Sequence, residues 1–437
     1  MSKPDMKSFS PDAGVPTPDA MPKLDMKLFP DSISTPDAMP APDAKPDSAP
    51  SIGACASVQQ VKTWNLSRAD GIQIWGNPDM PNASFMVSKR MYKQNGTGWI
   101  PDESYRFASV FDSAGQAGAG NKLLNSAGGV WFGIAQDTGF KIMTWDEVQY
   151  GTYFVHALDN MGMYQGMGYL QNTWNVVTWV GIPRAAAHTP QGSLVAISAV
   201  DNKNLPYTVV YQMDKKGQVP AMSYSSWVPG YFDDCYYTFA MNANKQWVAV
   251  ASTGKNLNTG KWHASLTISD AKSTHFLKIP ETEYADGACY MYNTWVEKIF
   301  ALKDGRFGLL YKDNSLTYPW HSFVYAYQTA TGKWQMGKSM KVAGEVTDMV
   351  ALDSGFLAST LDLQTGAKVG LAWIEANEGD SVTKTMKSVA VGACSQGSGT
   401  PCNWDPQIAK AGRSIGVVWS VGKPEYYGHA AFYKCLP

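Results

Sequence analysis

From Glu345 to Gly392 the chain reads "EVTDMVALDSGFLASTLDLQTGAKVGLAWIEANEGDSVTKTMKSVAVG", four short runs of β-type residues with tight turns at "LDSG" and "EANEGD". Side chains on a strand alternate between faces, so short apolar runs bounded by Gly, Asp and Asn predict the strands of an antiparallel meander. The preceding stretch, "WVEKIFALKDGRFGLLYKDNSLTYPWHSFVYAYQTATGKWQMGKSMKV", has the same four runs and a turn at "KDGR". Further copies begin at Cys235 and Arg184, and less regular ones near Gly71 and Gly128. Starts near 71, 128, 184, 235, 294, 345 and 406 lie about 50 to 60 residues apart. Four strands per unit at that period is the signature of a β-propeller, and no helical apolar period competes with it. The expected fold is therefore all-β, a seven-bladed β-propeller, with six or eight blades as the neighbouring counts.

The last unit has only three runs, "PQIAKAG", "SIGVVWSVG" and "GHAAFYKC". A ring cannot leave that outer edge open. Its natural fourth strand is "SVQQVKTWNLS" (Ser57 to Ser67), which starts just after Cys55, while its partner ends at Cys435. A Cys55–Cys435 disulfide would lock both ends of the ring. The six cysteines carry no zinc-type spacing. By repeat position Cys235 pairs with Cys289, one unit apart, and Cys394 with Cys402 across "SQGSGTP". Six buried thiols in a reducing compartment are the alternative; three disulfides imply an oxidising, extracytoplasmic one.

Composition narrows the class. With 36 Lys+Arg against 37 Asp+Glu, nothing favours nucleic acid or an anionic membrane surface. No apolar run is long enough for a transmembrane segment, and Met1 to Ser10 has no export-signal core. Residues 1–54 differ from the rest: the segment is rich in Pro-Asp, and Asp recurs every six or seven residues (Asp5, Asp12, Asp19, Asp25, Asp31, Asp37, Asp43), with no Trp or Tyr. Such a segment cannot offset its ordering entropy and is expected to be a disordered linker ahead of a 55–437 propeller. It resembles the Pro-Asp-Ala linkers of myxobacterial and related bacterial surface proteins, which implies a secreted or surface location. Ile52-Gly53-Ala54-Cys55 has lipobox spacing, but a Pro/Asp stretch replaces the apolar segment a lipobox requires.

Turns between first and second strands ("TPQG", "NANK", "KDGR", "LDSG", "KAGR") and most between third and fourth ("DKKG", "DAKS", "TATG") are short. The long connections fall at the opposite end, and variable loops on a rigid scaffold are where binding concentrates. They carry Trp227, Tyr231, Asp233, Asp234, Tyr236, Asp286, Tyr290, Tyr292, Trp320, Trp404 and Asp405. Aromatic faces beside carboxylates suit a glycan or surface polymer, the rings covering apolar C–H faces and the carboxylates accepting from hydroxyls. A carbohydrate-active enzyme using carboxylates from the same loops, and an adhesin-like module binding a protein partner, are the other expectations. No Asp-box, GxSxG, HExxH or P-loop occurs; no cofactor or metal is expected.

His263, His321 and His429 open the third strands of three units, too far outward to share one ion. His188, beside Arg184, is the histidine expected on a first strand. "NMGMYQGMGYLQN" (Asn160 to Asn172) reads as an expanded loop on the short-turn face. Its Met161, Met163 and Met167 have a spacing that suits either copper(I) or a soft contact surface.

Overall fold

The computed structural model describes residues 55–77, 83–96, 98–124, 130–136, 138–145, 152–171, 177–189, 192–201, 206–213, 222–226, 237–256, 261–270, 273–282, 296–312, 321–342, 346–353, 355–361, 368–376, 382–383, 388–393, 406–421 and 427–437. The chain divides into two units, Met1–Pro40 and Ala41–Pro437, and every described residue belongs to the second. Among the described residues there are strands and turns but no helix, hence none long and apolar enough to cross a membrane.

The strands follow one another as antiparallel meanders. The first is β1 (Ser57–Gly76), β2 (Ser84–Asn95), β3 (Gly98–Asp112) and β4 (Ala117–Leu124). Next come β5 (Val130–Gln136), β6 (Gly139–Trp145), β7 (Thr152–Asp159) and β8 (Tyr164–Gln171), then β9 (Val177–Thr189), β10 (Gly192–Asp201), β11 (Pro206–Met213) and β12 (Met222–Ser226). They are followed by β13 (Tyr237–Ala243), β14 (Val248–Asn256), β15 (Lys261–Ser269) and β16 (Thr274–Lys278). In the next sheet β17 (Val296–Ala301), β18 (Phe307–Lys312) and β19 (His321–Gln328) are edged by β20 (Trp334–Met336) and β21 (Met340–Lys341). Similarly β22 (Val346–Ala351), β23 (Phe356–Leu361) and β24 (Lys368–Ala376) are edged by β25 (Val382–Thr383) and β26 (Ser388–Ala393). The last three are β27 (Gln407–Ala411), β28 (Ser414–Val421) and β29 (Tyr427–Leu436).

β1 serves two sheets. Its residues up to Arg68 pair with β29, and those from Ala69 pair with β2, so the sheet order runs β27-β28-β29-β1-β2-β3-β4. The sequence expectation that Ser57 to Ser67 completes the final unit is what the pairing shows. Cys55 and Cys435 form a disulfide, with both residues buried. Around it Ala56 N–H donates to the Leu436 carbonyl (2.9 Å), and Trp373 Nε1 donates to the Cys55 carbonyl (2.6 Å).

The strands read as apolar runs because both faces of a sheet are covered. β19 is buried at its first six positions, His321 to Ala326. Leu309, Tyr311 and Val324 pack toward β13–β15, whereas Leu310, Phe323 and Tyr325 pack toward β22–β24. Further apolar clusters join β22–β24 to β27–β29, β27–β29 to β1–β3, β2–β3 to β6–β7, and β9–β11 to β13–β14. First strands adjoin in chain order: β1 with β5, β5 with β9, β9 with β13, β13 with β17, β22 with β27, and β27 with β1. Between β17 and β22, Lys298 Nζ donates to Asp348 Oδ1 at 2.9 Å. The β27–β1 approach is close: a Cβ at Gly76 would run into the Lys410 carbonyl oxygen. Only glycine fits there.

Candidate functional site

The two ends of the sheets differ. At one end the described turns are tight and similarly built. Asp112–Gln116 and Asp159–Met163 share one pattern: the first residue's N–H donates to the fifth residue's carbonyl, and the fourth residue's N–H donates back to the first carbonyl. In both, the aspartate Oδ1 accepts the N–H groups of the third and fifth residues. Gly115 and Gly162 occupy the fourth position at φ 72° and 80°, where a left-handed backbone favours glycine. Thr329–Lys333 repeats the pattern with a threonine and with Gly332 at φ 77°. Cys435 N–H donates to the Arg413 carbonyl in the β27–β28 turn, so the disulfide lies at this end too.

At the opposite end the first strands share an irregularity. In the pairing of β5 with β6, Val130 faces Thr144 and Phe132 faces Met143, leaving Trp131 as an extra residue. Arg184 is extra in β9, Phe239 in β13, Glu297 in β17 and Thr347 in β22; in β1, Gly71 and Ile72 stand opposite Lys89 alone. Counting back five residues from the last paired residue of each first strand (Asn77, Gln136, Thr189, Asn244, Leu302, Leu352) lands on Ile72, Trp131, Arg184, Phe239, Glu297 and Thr347. In β27 the same count from Ala411 lands on Pro406, just before the strand, and there is no bulge. One-residue bulges at rims re-aim side chains and are enriched beside active sites.

Between β17 and β22 this level is polar. His321 Nε2 lies 2.6 Å from Glu297 Oε2, the imidazole being 6% and the carboxylate 22% exposed. Next along β17, Lys298 reaches Asp348, whose Oδ1 also accepts the Met349 N–H (2.7 Å) while Oδ2 accepts the Ile408 N–H (3.1 Å). The Thr347 hydroxyl donates to the Pro406 carbonyl at 2.7 Å, and so does Ser359 at 2.8 Å. Asp348 and Thr347 thus tie three successive first strands together. Glu297 with His321 holds a carboxylate on a buried imidazole at the point where two long connections enter the sheet. This arrangement can present an acceptor; it does not gather a metal. Among the described residues no three His, Cys, Asp or Glu side chains come together.

The aromatic and acidic residues expected to form the ligand surface (Trp227, Tyr231, Asp233, Asp234, Tyr236, Asp286, Tyr290, Tyr292, Trp320, Trp404, Asp405) all lie outside the described residues, as do Cys235, Cys289, Cys394 and Cys402. The third-strand histidines occupy separate sheets with separate partners: His321 holds Glu297, and His429 stacks on Trp419 at 5.2 Å. His188 lies on first strand β9, opposite Ser193.

One reading is corrected. The described part of the stretch, Asn160 to Gln171, is not an expanded loop: it continues the five-residue turn pattern and then forms strand β8. Asn160 is fixed there by Asn77 Nδ2 (2.8 Å) and Ser84 Oγ (3.1 Å). Nor do the methionines make a sulfur cage. Met167 faces His156 and Tyr164 faces Leu158, on one face of the sheet, whereas Met163 follows Asp159 onto the other.

What sequence reasoning missed is the bulge level. No residue type marks it: Trp131, Arg184, Phe239, Glu297 and Thr347 share a repeat position but no chemistry, and the extra residue shows only in the strand pairing.

No family model and no curated protein matches the chain. Among solved structures it is similar to the sialidase of Trypanosoma rangeli, at TM-score 0.42 and 8% identity, covering 79% of this chain and 59% of that one. The chain thus spans less than two thirds of that sialidase's length. A luciferin-regenerating enzyme matches at TM-score 0.39 and 10% identity, covering 71% of this chain and 93% of the other. An uncharacterized protein from Listeria monocytogenes matches at 0.36 and 10%, covering 82% and 94%. Likenesses this distant carry neither a site nor an activity to this chain.

Proposed function

We propose that the chain is an extracytoplasmic seven-bladed β-propeller, closed by its N-terminal strand and the Cys55–Cys435 disulfide, that recognises a glycan or surface polymer through the end bearing its long connections. The propeller reading is supported by successive four-stranded meanders with adjoining first strands, and by the double use of β1. The compartment is supported by the buried disulfide. Residues 1–54 serve as a spacer, which ends at Cys55 on the tight-turn end.

The observation that carries the function is the asymmetry of the two ends. The described turns at one end are rigid and alike, while the connections richest in Trp, Tyr and Asp leave from the other. Scaffold physics assigns recognition to the variable end. The test is a glycan-array screen of the full chain, with and without calcium. Specific binding, competed by free sugar and weakened at least tenfold in Trp320→Ala or Trp404→Ala, is the expected result. A blank array, with capture of a protein partner that free sugar does not compete, would replace the glycan by a protein ligand.

A further inference from the structure

We infer that the β7–β8 hairpin is an oxidant-reactive surface, on which Met161, Met163 and Met167 each take an oxygen atom from peroxide and become methionine sulfoxide while the fold stays intact. This goes beyond the glycan reading and does not rest on it.

Three observations carry it. The first is access. Met161, Met163 and Met167 are 61%, 52% and 52% exposed, and with Tyr164 they supply four of the six exposed large apolar side chains among the described residues. By contrast Met86, Met143, Met213, Met241, Met340 and Met349 are buried, and Met91 and Met336 are half-buried. A thioether reacts where oxidant can reach its sulfur, so exposure separates the two groups. Second, the turn is held by groups other than these side chains. Asp159 Oδ1 accepts the Met161 and Met163 N–H groups, Gln165 Nε2 donates to Asp159 Oδ2, and Asn160 is fixed by Asn77 and Ser84. The Met161 backbone is pressed against β4, where a Cβ at Gly118 would run into its carbonyl oxygen. Third, the fold does not call for methionine here. The Asp112–Gln116 copy of this turn carries Ala114 and Gln116 where Met161 and Met163 stand. Met167 lies on β8, the last strand in the order β5-β6-β7-β8. A sulfoxide is polar and disrupts a core, but on this hairpin it stands in water.

In each step the sulfur lone pair attacks one oxygen of hydrogen peroxide. The S–O bond forms as the O–O bond breaks, and sulfur gives up two electrons. The proton on the transferred oxygen goes to the departing hydroxide, which leaves as water. Thioether and peroxide thus become sulfoxide and water.

The experiment treats the full chain with hydrogen peroxide beside added free methionine, and follows each methionine by peptide mass spectrometry. Met161, Met163 and Met167 should oxidise within about threefold of the rate of free methionine, and at least tenfold faster than Met86, Met143 or Met349. The triple change Met161→Gln, Met163→Gln, Met167→Gln imitates the polar product and should melt within a few degrees of wild type. Rates at the three sites as slow as those of the buried methionines would show the hairpin covered in solution, by a second copy or a partner, and would overturn the inference. So would loss of the β-sheet circular dichroism signal in step with oxidation at these sites. If the glutamine variant fails to fold, the wild-type spectrum at full oxidation of the hairpin decides the matter.

Discussion

Tyr433 shows how burial becomes pH dependence. It lies in β29 within the cluster around the disulfide, its hydroxyl 3.4 Å from Gln60 Oε1, and burial pushes the phenol up to about 12. The folded value exceeds the ordinary tyrosine value of 10.0, so the neutral form is favoured by folding. The contribution is therefore whole below pH 10 and is lost as pH rises toward 12. Urea midpoints of wild type should fall between pH 9.5 and 11.5 by more than those of Tyr433→Phe. At pH 8 the two should differ by less than about 1 kcal/mol, since the hydroxyl's bond is long. Parallel pH curves would mean that the phenol ionises freely in the folded state. Lys410 behaves in the opposite sense. Burial lowers its amine, with Asp353 opposing that shift and Lys303, itself paired with Asp353, adding to it.

Among the elements, the tight turn is the most transferable unit. Asp112 and Asp159 each take two backbone N–H groups with one carboxylate oxygen, which fixes the turn whatever its exposed side chains are. Asp112→Ala and Asp159→Ala should each cost about 1 to 2 kcal/mol in urea unfolding, with raised amide exchange confined to the turn. The double change Met161→Ala, Met163→Gln, which writes Ala114 and Gln116 of the other copy into this turn, should shift stability by less than about 0.5 kcal/mol. A larger loss would show the methionines to be structural. The same element scale explains what could be read from the sequence. Turns such as "KDGR" and "LDSG" were legible because Gly and Asp announce them, and strand runs because both faces are apolar. The bulges were not, because an extra residue exists only relative to a partner strand: "VEKIF" reads as a plain strand until Val296 is set against Tyr311 and Lys298 against Leu310. The Asn160 turn was misread because Gly and Met in β8 lack strand character, and their place is set by pairing with β7.

For the whole molecule the question is what keeps the first and last sheets together. Three kinds of contact do so independently of the disulfide. β1 pairs with both β29 and β2; Trp64 Nε1 donates to the Gly115 carbonyl (2.7 Å); and Ser414 Oγ donates to the Ser113 carbonyl (2.8 Å). The apolar cluster of Ile72, Ile74, Phe85, Phe111 and Phe432 lies across the same junction. The disulfide adds a covalent tie across 380 residues. In the chain-entropy account such a loop is worth about 6 kcal/mol, at or just above the upper end of what disulfides contribute. Cys55→Ser with Cys435→Ser should therefore leave a folded protein whose melting temperature is lower by roughly 7 °C. Loss should begin locally, with amide exchange rising first in β1 and β29 while β17–β19 stay protected. If the variant instead melts as one unit with uniform exchange, the ends are no weaker than the middle, and the strand pairing alone holds the first and last sheets together. If it does not fold at all, the pairing cannot hold without its bolt, and oxidation becomes a condition for the fold.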